Sequence, residues 1–163
     1  MIKNFSFDDF INDSIRILII ADAVNSIKKI KLTENRIRLY DYYLRFPRTM
    51  FNGIATDEEL KANIDEYYAF FHWSPDIVKY RKSTNFLIAK GFLVKEMQDN
   101  NVVYIISNKG IEAIKKLNSS YKQKLVSLAK LMIKSVLKLN DSKIEEEIKY
   151  KTNILSRKNE VIE

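Results

Sequence analysis

The sequence predicts a mainly α-helical chain with one small β-hairpin. Three observations point there. Apolar residues recur every three or four positions through most of the 163 residues. Only 3 Gly and 2 Pro punctuate that pattern. Two short apolar runs, Phe92–Met97 and Val102–Ile106, flank the polar stretch Gln98-Asp99-Asn100-Asn101, as strands flank a hairpin tip, and the second run is strongly β-branched.

Each element has a local reason. Ser6 is placed to cap a first helix, Phe7 to about Lys28, with Asp8 and Asp9 against its positive end. Ile15, Ile17, Leu18, Ile19, Ile20 and Val24 make this helix apolar on nearly all sides, so it is expected to be central or to meet a partner chain as well as its own core. Thr33 caps a second helix, Glu34 to about Phe46, which Pro47 ends; Arg48–Ala55 is expected as a loop turning at Asn52-Gly53. Thr56 and Glu59 form a capping box for a third helix striped by Leu60, Ile64, Tyr67/Tyr68 and Phe71. After His72-Trp73, Ser74 as cap and Pro75 as first helical residue start a fourth. Its buried face is expected to hold Ile77, Tyr80/Arg81, Thr84, Leu87 and Ile88, with Gly91 as a left-handed terminator. Beyond the hairpin, Ser107-Asn108 starts a stripe from Ile111 to Leu139 that Asn118-Ser119-Ser120 can break in two. A charged helix, about Ser142–Leu155, and a frayed tail, Ser156–Glu163, complete the chain. Three segments are expected: an N-terminal packing helix over 1–31, a core over 32–117 and a helical extension over 118–163.

The order helix, helix, helix, strand, polar turn, strand, helix is that of a winged helix-turn-helix. The stretch Phe86–Val94 (FLIAKGFLV) joins an apolar helix end to an apolar strand through a glycine, as winged helices do.

Composition narrows the chemistry. With no Cys and one His, the chain excludes disulfides, thiolate metal sites, cysteine nucleophiles and two-histidine metal motifs. Its glycines form no phosphate-cradling loop. No catalytic group, metal site, cofactor or small-molecule substrate is expected. His72 beside Trp73 belongs to an aromatic cluster, and Asp57-Glu58-Glu59 and Glu145-Glu146-Glu147 to solvated helix surfaces. No signal peptide or membrane span is recognisable and there is no Cys, so a cytoplasmic location is expected. The net charge of +7 is regional. Residues 76–134 hold 12 basic and 4 acidic side chains, whereas 1–75 hold 10 and 11. Such an excess attracts a polyanion or an acidic protein face.

Several phrases taken in order resemble one family: Arg38–Leu44 (RLYDYYL), Tyr80–Leu93 (YRKSTNFLIAKGFL), Val103–Ile111 (VYIISNKGI), Leu117–Tyr121 (LNSSY) and the basic helix Lys122–Lys134. Together they look like the middle component of bacterial ABC-three-component systems, related to the small accessory subunit of Lamassu anti-phage systems. The likeness covers about residues 15–139, with Tyr40 where the family's aspartate phrase has leucine. It implies a non-catalytic accessory subunit of a defence complex, docking on an SMC/Rad50-like ATPase beside an effector subunit. The alternative is a homodimeric winged-helix transcriptional regulator.

The fourth helix would then be the DNA-facing helix. Lys79, Arg81, Lys82, Ser83, Asn85 and Lys90, with Lys95 on the wing, are the candidate nucleic-acid contacts. The wing tip offers only Asp99, so phosphate contact is favoured over base reading. Ile17, Ile20 and Val24 of the first helix, with Tyr121, Leu125, Leu128, Met132 and Val136 of the long stripe, are the candidate partner interface. Packing of those two stripes on each other is the competing expectation.

Overall fold

A computed structural model of the chain describes residues 7–51 and 76–160, with side chains as far as Asn153. Seven helices and one hairpin are present among these residues: α1 (Phe7–Asn25), α2 (Glu34–Arg45), α3 (Pro47–Phe51), α4 (Ile77–Ala89), β1 (Leu93–Gln98), β2 (Asn101–Ile106), α5 (Asn108–Lys116), α6 (Ser120–Val136) and α7 (Asp141–Glu160). The mainly α architecture with a small antiparallel hairpin is the one the sequence predicts. The Ser6 cap, the helix expected from Thr56, and His72 to Pro75 lie outside the described residues.

The all-round apolar helix α1 is the centre of the fold. It packs against α2, α4, α5, α6 and β2. Ile17, Ile20, Ile37, Leu39, Tyr43, Leu125 and Met132 are among the largest fully buried side chains, in one core that also takes Ile144 and Ile148 from α7. Apolar area of this extent is the main source of stability, at about 25 cal/mol per Å² removed from water.

Caps set the boundaries. The hydroxyls of Thr33, Ser107 and Ser119 accept from the amides of Arg36, Gly110 and Lys122 at the starts of α2, α5 and α6. The expected break near Asn118–Ser120 is present, so the long stripe is two helices. Gly91 has φ +74° and terminates α4, as a residue without Cβ allows. Asp99 and Asn100, at φ 47° and 62°, make the two-residue tip that suits the twist of an antiparallel pair. The register runs from Leu93 opposite Ile106 to Gln98 opposite Asn101.

The α1–α2 linker fastens the hairpin from the far side of β2. The Tyr104 amide donates to the Leu32 carbonyl at 2.9 Å, and Lys31 forms an ion pair with Asp99 at the tip.

Three expectations are corrected. Pro47 ends α2 but also opens α3, because a proline at the first helical position gives up an amide that has no helical partner anyway. Arg48–Phe51 is therefore helix rather than loop, with Thr49, Met50 and Phe51 buried. The tail is also more regular than expected, since α7 continues to Glu160. At its start, Asp141 receives Arg36 Nε at 2.7 Å and Asn35 Nδ2 at 2.8 Å, which ties α7 to α2. Finally, α4 begins at Ile77 with Asp76 as its cap, the carboxylate accepting from the Lys79 amide at 3.2 Å.

Candidate functional site

Helix α4 carries most of the candidate nucleic-acid contacts, and its orientation is set from underneath. Tyr80, Ser83, Thr84 and Leu87 form the buried face, while Ile77 and Val78 are about half exposed at 50% and 59%. Tyr80, Thr84 and Leu87 are buried as expected, and Tyr80 rather than Arg81 takes the position left open between them; the buried face differs from the expected one in having Ile77 outside and Ser83 inside. Phe86 meets Phe10 of α1 edge to face, with centroids 5.1 Å apart.

A buried polar network fixes the rotation of α4. The Tyr80 hydroxyl donates to Asp41 Oδ2 at 2.7 Å. Arg16 Nε donates to Asp41 Oδ1 at 2.6 Å, and Arg16 Nη2 reaches Asp41 Oδ2 at 3.4 Å. Arg16 Nη2 also pairs with Asp13 Oδ1, and the Lys79 ammonium sits 2.8 Å from Asp13 Oδ2. Two cations and two carboxylates therefore join α1, α2 and α4, with Asp41 only 1% exposed. Burial at that depth requires such pairing, because an isolated charge there is strongly disfavoured.

The network holds its members in fixed charge states. Burial opposes ionisation of Asp41, but the charge and hydrogen bond of Arg16, with Arg45 and the Tyr80 hydroxyl, outweigh it and hold the carboxyl below its usual range. Burial, then Asp41, pushes the Tyr80 phenol well above its usual range. Burial lowers the Arg16 pKa, but Asp41 and Asp13 overcome it and keep the guanidinium charged. A carboxyl depressed in the folded state stabilises the fold above its unfolded pKa, about 3.9, and loses that contribution as pH falls through its folded value. Urea midpoints are accordingly expected to drop as the pH is taken below about 4, and Asp41→Asn should flatten that drop. An equally steep acid dependence in the variant would show that other carboxylates cause it.

The candidate contacts are dispersed by this arrangement. Ser83 is fully buried, so it faces no ligand. Lys79 is committed to Asp13, and Arg81 Nε to Glu34 at 3.0 Å. Lys82, Asn85, Lys90 and Lys95 are exposed, Lys90 lying 5.7 Å over the Phe86 ring.

The candidate partner interface is corrected more fully. Ile17, Ile20, Val24, Leu125, Leu128, Met132 and Val136 are all buried in the chain's own core, where α1 packs on α6. Only Tyr121 keeps substantial exposure, at 40%. The two stripes satisfy each other and leave no apolar face for a partner. Sequence reasoning read α1 as apolar on nearly all sides and missed the network. An arginine and an aspartate three residues apart on α1, with a lone aspartate among the tyrosines of α2, were the available signal.

Among the described residues, no group of three or more His, Asp or Glu is placed to hold a metal ion, and no helix is long and apolar enough to cross a membrane. The family model for the ABC-three-component system Middle Component 2 matches residues 6–158. The chain belongs to that family. No curated protein and no solved structure matches it. In this middle component, the aspartate of the Arg38–Leu44 phrase is the hub of the buried network, and the glycine of the Val103–Ile111 phrase is Gly110, which packs against the hairpin. The resemblance thus rests partly on residues that hold the fold together.

Proposed function

We propose that the chain is a non-catalytic accessory subunit of an anti-phage or anti-plasmid defence complex, built on a winged-helix core and docking on an SMC-like ATPase. The observation that carries this is the family match across residues 6–158, which makes the chain one part of a multi-component ABC-type system. The element order α4, β1, β2, α5 and the Leu32–Tyr104 backbone bond beside the hairpin support the winged-helix reading.

The docking surface is best sought on exposed apolar side chains outside the core. Val94 and Met97 of β1 are exposed, the latter at 67%, and Ile77 and Val78 stand out at the start of α4. The stripes offered as a partner interface are buried within one chain, which withdraws that surface from docking and from self-association alike.

Co-expression with an SMC-like ATPase of the same kind of system provides the test. We expect the two to co-purify, and Val94→Asp with Met97→Asp to weaken that association without altering the circular dichroism spectrum. Recovery of the chain alone as a symmetric dimer that shifts a promoter fragment would instead establish a regulator.

A further inference from the structure

Unneutralised positive charge is concentrated on α6 rather than on α4. From Ala113 to Asn140 the chain has seven lysines and no acidic residue. Leu125, Leu128, Ala129, Met132 and Val136 turn one face of α6 into the core. The helical period then sends Gln123, Ser127, Lys130 and Lys134 along the opposite, exposed face, with Lys124 beside them and Lys138 just past the last turn. Among the described residues, no ion pair involves Lys124, Lys130, Lys134 or Lys138. The lysines of α7 differ: Lys143, Lys149 and Lys151 each pair with a glutamate one helical turn away. Lys79 and Arg81 of α4 are likewise paired.

We propose that the outer face of α6, through Lys130, Lys134 and Lys138 with Lys124 at its side, binds the phosphate backbone of double-stranded DNA without reading sequence. The three lysines are spaced about 6 Å apart along the helix, so one face presents a row of point charges to a regular polyanion. The residue type favours nucleic acid over an acidic protein. Protein interfaces are depleted in Lys and enriched in Arg, which binds carboxylates with two parallel hydrogen bonds. This row has no Arg and no aromatic anchor. Its exposed neighbours, Gln123 and Ser127, are too few to specify a site. The site shares no residue with the docking surface above and is tested on the chain alone.

The experiment is fluorescence anisotropy of a short labelled duplex of arbitrary sequence, titrated with the full chain at several salt concentrations. Binding should be detectable at low salt and fall steeply as salt rises. Lys130→Glu/Lys134→Glu/Lys138→Glu should weaken it at least about tenfold and reduce the log–log salt slope by about 2.7, the expectation for three lost phosphate contacts. Glutamine at the same three positions should give an intermediate loss. Melting curves and circular dichroism matching the parent would show that the fold is kept. Lys82→Glu/Lys90→Glu on α4 should have a smaller effect. The proposal is overturned if the parent chain ignores the duplex at low salt, if the triple variant binds like the parent, or if the α4 variant alone abolishes binding.

Discussion

Asp41→Ala is expected to cost about 3–5 kcal/mol of folding stability, the range for removing one partner of a buried ion pair. Asp41 accepts from both Arg16 and Tyr80, so the substitution leaves the Tyr80 phenol without its acceptor and the Arg16 guanidinium with Asp13 alone, in a nearly water-free site. Arg16→Met alone should be comparably damaging, since it strands Asp41. Arg16→Met/Asp41→Leu should cost clearly less than the sum, because neither charge is then left alone and Asp13 keeps Lys79. Urea denaturation of the four proteins measures this coupling directly. Strictly additive losses would mean that the two residues act independently, contrary to the geometry. The network is not itself evidence of high stability, since apolar replacements can match a buried pair. Its structural effect is rotational: it decides which residues of α4 face water.

Gly110→Ala should also destabilise, by about 2 kcal/mol net. A Cβ at Gly110 would lie 2.4 Å from the Phe92 carbonyl oxygen and 2.8 Å from Ile106 Cγ1. The Phe92 carbonyl cannot simply retreat. It accepts from the Ser107 amide at 3.0 Å and from the Ser107 hydroxyl at 3.2 Å, the bonds that fix the start of α5. Relief therefore requires α5 to lift away from the hairpin. Overpacking of this kind typically costs 1–3 kcal/mol or more, and the roughly 1 kcal/mol that alanine gains over glycine in a helix offsets only part of it. A thermal midpoint equal to or above the parent's would show that the α5–hairpin contact yields easily.

Elements with strong local signals were legible in the sequence. Thr33, Ser107 and Ser119 mark helix starts because their hydroxyls satisfy free amides, and Gly91 marks a helix end because glycine, lacking Cβ, enters the left-handed region without steric cost. Positions decided by tertiary packing were less so. Tyr80, Thr84 and Leu87 are buried as hydrophobicity predicts, but Ser83 is small enough to lie fully buried beside them whereas Ile77 stays in water, so the edges of the buried face were misplaced. The same limit explains the long apolar stripes. Periodicity shows that α1 and α6 need a partner; only the structure shows that each is the other's. The charge excess was visible, but its neutralisation was not. Ion pairs such as Lys79 with Asp13 join residues far apart in sequence, and they move the available positive charge from α4 to α6.

The central position of α1 bears on how the protein is made. The helix leaves the ribosome well before α6, which covers one of its sides and begins at Ser120, nearly a hundred residues later. At usual synthesis rates of about 5–20 residues per second, the apolar surface around Ile17 and Ile20 waits roughly 5–20 s for that cover. During that interval the nascent chain is a natural client for holdase chaperones, and slow translation or a premature stop before Ser120 would leave its stickiest segment uncovered. Yield of soluble protein should therefore respond more to expression rate and chaperone supply than the small size of the chain would suggest.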